Sequence, residues 1–201
     1  MTARDPNIEK DVRAIVRRIV DGLLGEDAFQ KTSREDGVVS IKTIAIGGDH
    51  GGFALKERLA YKLRESGYSV NDCGTDSTDA VDYPDIAAAV ARQVQSGQAD
   101  IGIVVDGAGI GSAMAANKID GVRAALCYDV STARNAREHN HANVMTLGAG
   151  MIGDSLAWQI TQEFLATPYG GDRHARRVAK IADLERSQLE RSQLERSQGE
   201  R

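Results

Sequence analysis

The sequence predicts an α/β fold: a three-layer sandwich whose middle layer is a five-stranded parallel sheet. Three observations predict it. Short apolar β-like runs alternate with segments of helical spacing from residue 41 to residue 182. Glycine is abundant (21 of 201 residues) and proline scarce (3), which suits many tight strand–helix turns. The run Asp100–Val105 (DIGIVV) is almost wholly apolar, as expected of a strand covered on both faces.

The elements follow in order. Lys42–Gly47 is a β-branched run that ends in glycines, and Ala54–Ser66 has helical spacing and stops at Gly67. Tyr68–Cys73 is a second, short strand. Asp85–Ser96 is a helix preceded by Pro84 and stopped by Gly97. Asp100–Val105 is the third strand and Ser112–Lys118 a short helix. Val122–Tyr128 is the fourth strand, followed by a helix over Ser131–Glu138. Val144–Leu147 is the fifth strand, and Ser155–Ala166 and His174–Ala182 are the last helices. Each strand is followed by a helix, so the sheet is expected to be parallel and wound on both faces. Ligands of such sheets bind beyond the carboxyl ends of the strands.

The formal net charge of −4 carries no basic face, which argues against a nucleic-acid partner. An anionic substrate remains compatible, because a few local arginines decide that. Cys73 and Cys127 form neither a CxxC pair nor a metal-like cluster, so no metal is expected and both thiols read as reduced. No apolar run approaches the ~20 residues of a membrane span. The N-terminus lacks the uninterrupted apolar core of a secretory signal, so the expected location is cytoplasmic.

The polar motifs fall where the fold would place them. Gly47-Gly48-Asp49-His50-Gly51-Gly52 follows the first strand, and Asp106-Gly107-Ala108-Gly109-Ile110-Gly111 the third. Asp129 follows the fourth. Arg137-Glu138-His139-Asn140-His141 closes the next helix, and Gly170-Gly171-Asp172-Arg173-His174-Ala175-Arg176-Arg177 opens the last. Glycines in the 107–111 loop let several N–H groups converge at a helix N-terminus, which suits an oxyanion or phosphate. Taken alone, the loop fits an empty tight turn slightly better. A dinucleotide site ranks low, since Ser112 replaces the third glycine of G-x-G-x-x-G and the loop follows the third strand. A Walker-type loop is excluded, because no G-K-[ST] follows. Asp49 and His50 supply titratable groups at a strand end. Arg173 and Arg177, four apart, share a helical face and can clamp a phosphate.

GGDHGGFALKE, DYPDIA, GAGIGSAMAANKIDGVRAALCYD, AREHNHANV and GGDRHARRVAKI occur in that order. Together they make residues 41–182 resemble the ribose-5-phosphate isomerase B family, which includes galactose-6-phosphate isomerase subunits. The resemblance implies a Rossmann-like sandwich, a homodimer with sites between subunits, and no metal or organic cofactor. It implies catalytic roles for Asp49 and His139 (ring opening); Asp106, at the position of the usual base, is the third catalytic candidate. The resemblance assigns substrate contacts to His50, Tyr83, Asn140 and the oxyanion loop Gly107, Ala108, Gly109, Ile110 and Gly111. The phosphate would be bound by Arg173 and Arg177.

The chain departs from the family pattern at three positions. Asp106 stands where many members have a cysteine base, and Ala108 where they have a threonine. An Asn-Asp pair common after the histidine is here Asn140-His141. The implied reaction is aldose–ketose isomerisation of a sugar phosphate through a cis-enediol, with ribose 5-phosphate to ribulose 5-phosphate as the default and Asp106 as base. Alternatives are another phosphorylated pentose, tetrose or hexose, or a non-catalytic sugar-phosphate-binding or scaffold protein.

Residues 1–40 are an extension. Ile8, Val12, Ile15, Val16, Ile19, Val20, Leu23 and Leu24 share one face of a helix over residues 8–24 that Gly25 ends. Two readings carry equal weight: a helix docked on the domain or a dimer partner, and a detachable helix that binds a shell or enzyme partner. The second resembles encapsulation peptides and would place the protein inside a bacterial microcompartment. Residues 183–201 are low-complexity, with Leu-Glu-Arg-Ser-Gln three times from Leu184 to Gln198. They are expected to form a solvated, partly helical tail without chemistry.

Overall fold

The computed structural model describes residues 41–199, with side-chain surroundings given through residue 187. The 8–24 helix therefore lies outside the described residues. Five strands form one parallel sheet: β1 (Thr43–Gly48), β2 (Ser69–Asp72), β3 (Ile101–Asp106), β4 (Ala124–Leu126) and β5 (Val144–Gly148). Their order is β2-β1-β3-β5-β4. The helices are α1 (Phe53–Glu65), α2 (Tyr83–Gln95), α3 (Ile110–Ala116), α4 (Val130–Asn140), α5 (Asp154–Ala166) and α6 (Asp172–Gly199).

Side chains of successive strand residues point to opposite faces, and the core divides accordingly. Ile44, Ile46, Ile103, Val105, Met145 and Leu147 pack under α1, α4 and α5 through Leu55, Leu59, Leu63, Ala133, Ala136, Ile160 and Phe164. Ala45, Val104 and Val144 face α2 and α3 through Ala87, Val90, Ala91 and Ala116. The second face has smaller side chains. There α2 lies so close that a Cβ on Gly47 or Gly102 would come within 2.8 Å of Val90.

Several boundaries differ from the sequence expectation, and three of them have a plain physical reason. β4 is three residues long instead of seven, because it is a sheet edge and pairs only with β5. α2 begins two residues early, since Pro84 fits the first helical turn, where its missing N–H has no partner to lose. α6 does not stop near Ala182 but continues through the repeats to Gly199. Leu, Glu, Arg and Gln are all strong helix formers, and no glycine or proline interrupts them before Gly199. Asp183 and Arg186 pair across one turn of this helix.

A buried lysine ties the frame together near the carboxyl edge of the sheet. Lys56 in α1 is 1 % exposed. Its Nζ donates to Asp72 Oδ2 at 2.8 Å and to the Thr75 carbonyl at 3.0 Å. Burial opposes the charge, but Asp72 and Glu57 outweigh it and raise the Lys56 pKa.

Candidate active site

The carboxyl ends of β1 and β3 bring the two glycine loops into contact. Asp49 is buried, and its Oδ1 accepts from the Gly52 N–H at 2.8 Å, which closes the β1–α1 turn. Its own N–H donates to the Val105 carbonyl at 3.2 Å. Gly52 lies flat on β3, where any Cβ would overlap the Val105 carbonyl oxygen. A Cβ on Gly51 would sit 3.4 Å from Asp49 Oδ1 and 3.6 Å from Gly107 N. The ring of Tyr83, at the start of α2, lies against Gly111, where a Cβ would come within 2.5 Å. His50 Nδ1 accepts from the Val81 N–H at 3.4 Å.

Asp106 ends β3 and is 5 % exposed. Its Oδ1 accepts from the Ala108 N–H at 2.8 Å and from the Gly109 N–H. Its Oδ2 accepts from the Ser112 N–H at 3.2 Å and from the Ser112 hydroxyl. The carboxylate thus sits on the N-terminus of α3, where unpaired N–H groups and the helix dipole favour an anion. Gly109, at φ 78°, makes the left-handed turn that aims these donors. Two hydroxyls hold the loop from behind. Tyr128 Oη donates to the Ala108 carbonyl at 3.0 Å, and Thr146 Oγ1 donates to the Gly109 carbonyl at 2.8 Å.

The remaining expected residues gather elsewhere. α4 starts past the carboxyl end of β4 and carries the chain back, so His139 and Asn140 lie beside the amino end of β5. The carboxyl end of β5 is level with Asp106, four residue steps or about 13 Å along the strand. His139, Asn140, His174 and Arg177, with Asn135, line a cavity of about 220 Å³ between α4 and α6. His139 stacks on His174, ring centroids 4.2 Å apart and 8° from parallel. Arg173 Nε donates to His174 Nε2 at 3.2 Å. Burial, together with His139, Arg173 and Arg177, pushes His174 below the ordinary histidine value.

One chain thus holds two groups of site residues on opposite edges of its sheet: Asp49, His50, Tyr83, Asp106 and the 107–111 loop on one, and His139, Asn140, Arg173 and Arg177 on the other. Neither cysteine offers a ready thiolate. Burial pushes Cys127 up to about 12, and burial plus Asp72 pushes Cys73 up as well. Among the described residues no three His, Cys, Asp or Glu side chains could hold a metal ion. No helix among them is long and apolar enough to cross a membrane. Sequence reasoning missed Ser112, Asn135, Tyr128 and Thr146. Only Asn135 carried a local signal, its i,i+4 spacing to His139.

Comparison with known proteins agrees with this architecture. The ribose/galactose isomerase family model matches residues 44–181. Ribose-5-phosphate isomerase B of Escherichia coli is 41% identical over 145 residues, covering 72% of this chain and 97% of that one. The solved structure of Clostridium thermocellum ribose-5-phosphate isomerase B superposes with a TM-score of 0.72 at 46% identity, covering 72% and 98% of the two chains. Trypanosoma cruzi type B ribose 5-phosphate isomerase gives 0.71 at 42% identity, covering 74% and 99%. The matched region spans both glycine loops and both edge clusters, and the chain belongs to the ribose/galactose isomerase family.

Proposed function

We propose that this chain interconverts an aldose phosphate and its ketose isomer, with ribose 5-phosphate and ribulose 5-phosphate as the pair. One observation carries this reading: a buried carboxylate, Asp106, at the strand end where the family's thiol base would stand, beside Asp49 and a glycine loop. His139 hands a proton to the ring oxygen while the anomeric hydroxyl gives up its own, so the C1–O bond to the ring breaks and the open-chain aldehyde forms. Asp106 then takes the proton from C2, the electron pair forms the C1–C2 double bond, and the C1 oxygen gains a proton. The O2 proton leaves as Asp106 returns its proton to C1, so the step needs no outside oxidant or reductant. Asp49 and His50 contact the sugar hydroxyls, and Arg173 and Arg177 hold the phosphate.

Both Asp106 oxygens already accept hydrogen bonds, so abstraction requires one donor to leave. The Ser112 hydroxyl can turn away by rotation about a single bond, whereas the backbone donors cannot. The two edge clusters are too far apart to act on one sugar within one chain. A homodimer in which His139, Asn140, Arg173 and Arg177 come from the second copy completes the site. The pair of sugars that fits is set by the depth of that joint cavity, and a phosphorylated tetrose or hexose is the alternative.

The four donors on Asp106 also favour a second reading, sugar-phosphate binding without turnover. A panel of phosphorylated tetroses, pentoses and hexoses, assayed for aldose–ketose conversion with the wild type and Asp106→Asn, separates the two. Isomerisation supports the first reading, with kcat falling about 10²- to 10⁴-fold in the variant. Near-wild-type turnover of Asp106→Asn removes Asp106 as base, and binding without turnover of any sugar supports the second reading.

A further inference from the structure

Asn135 stands one helical turn before His139 on α4 and faces the same cavity. Its Nδ2 lies 2.9 Å from His139 Nδ1. An amide can present either its N–H or its oxygen to a ring nitrogen, so a neighbouring contact has to fix its orientation. Asn140 supplies that contact. Its Nδ2 donates to the Asn135 side-chain oxygen at 3.3 Å and to the Asn135 carbonyl at 3.2 Å. With its oxygen committed to a donor, Asn135 turns its N–H to His139, and Nδ1 of the neutral ring must accept. The ring proton then sits on Nε2. Two further features agree. Glu138 Oε1 lies 3.7 Å from Nε2, on the side where a carboxylate favours an N–H. The His174 ring stacked on His139 holds the imidazole plane, so rotation away from Asn135 would lose the stack.

We infer that Asn135 is a positioning residue that holds neutral His139 in the Nε2–H tautomer, the form that presents a proton donor for opening the sugar ring. The catalytic part of this inference rests on the isomerase reading; the tautomer part does not. Through the chain Asn140 to Asn135 to His139, Asn140 orients the amide that sets the His139 tautomer. Asn135 is exposed and outside the core, so its substitutions leave the fold intact.

Nitrogen-15 NMR of histidine-labelled full-length protein, at a pH where the imidazoles are neutral, reads the tautomer without substrate. The wild type is expected to show His139 as Nε2–H. Asn135→Leu removes the donor, and the spectrum should become a mixture of both forms. Asn135→Asp offers only an acceptor, and the ring should invert to Nδ1–H. Turnover of the sugar phosphate by Asn135→Asp should fall about 10- to 100-fold in kcat, with KM within about twofold. An Nδ1–H ring in the wild type overturns the inference, and so does an unchanged tautomer in Asn135→Asp. An inverted tautomer with wild-type kcat also overturns it. If the tautomer inverts while the wild type turns over no sugar phosphate, the isomerase reading fails and the tautomer assignment stands.

Discussion

His139 and His174 stack face to face with 4.2 Å between ring centroids, and the two imidazoles come from different helices, α4 and α6. Two charged rings at that distance repel, and the Arg173 and Arg177 guanidiniums add to the positive field. The His174 pKa is therefore lowered, by burial first and by these cations second.

This lowered pKa sets a pH dependence. The unfolded chain takes up the His174 proton near the ordinary value of 6.5, while the folded chain resists it to lower pH. Below about pH 6.5 the unfolded state binds more protons, so stability is full above that value and falls as pH drops through the window toward the folded pKa. Thermal melting from about pH 8 to about pH 5 should show a shallower acid-side fall in His174→Gln than in the wild type. Equal slopes would remove His174 from the account.

Arg177 lines the cavity beside the stacked histidines. Losing a charge-assisted pair to a phosphate removes about 1.5–3 kcal/mol of binding, so Arg177→Ala should raise KM by about 10- to 100-fold. The change in kcat should be small, since a group remote from the reacting carbons binds ground and transition states alike. A loss confined to kcat would place Arg177 in the chemistry instead of the phosphate grip.

Mixing tests whether the two sheet edges meet across copies. Asp106→Asn and His139→Ala are each expected to be nearly inactive alone. Unfolded together and refolded as random dimers, they should regain about a quarter of wild-type activity, because half the dimers are mixed and each has one intact site of two. No recovery would mean that one chain supplies its whole site.

The Ser112 and loop donors suit a carboxylate, and a thiol uses them poorly. Asp106→Cys places a thiol at the end of β3 but leaves the Ser112 hydroxyl and the Ala108 and Gly109 N–H groups without their acceptor. The expected result is lower kcat together with lower melting temperature, with stability down by about 1–3 kcal/mol. A fully active, equally stable Asp106→Cys would show that the loop tolerates either side chain.

Gly52 has no room for a side chain because the Val105 carbonyl lies against it. Gly52→Ala should lose at least about 1–3 kcal/mol in denaturant unfolding and raise KM as the Asp49 loop lifts from β3. The same substitution at Gly153, where a Cβ meets nothing within 4 Å, is the control and should be near neutral.

Much of this was legible in the chain of letters. The apolar runs, the helical spacing and the glycines after β1 and β3 are local properties, so they predicted the strands, the helices and the loops at the carboxyl edge within a few residues. The five-residue repeat carries no apolar stripe, so periodicity leaves the length of α6 open, yet its residues favour helix wherever a preceding turn is already formed. The buried Lys56 was invisible, since only the packing of α1 on β2 brings Asp72 to it.

By itself the sequence determined the layered α/β fold, the order of its units and the kinds of groups the site would contain. The tertiary structure alone decided how those groups are distributed. A helix that returns antiparallel to its strand carries His139 to one edge while Asp106 stays at the other. It also decided what each group faces: Asp106 its own loop and Ser112, His139 the amide of Asn135 and the ring of His174. Periodicity encodes which face a residue lies on, because burial repeats along the chain. Hydrogen-bond direction and distance between elements do not repeat, and only the folded packing sets them.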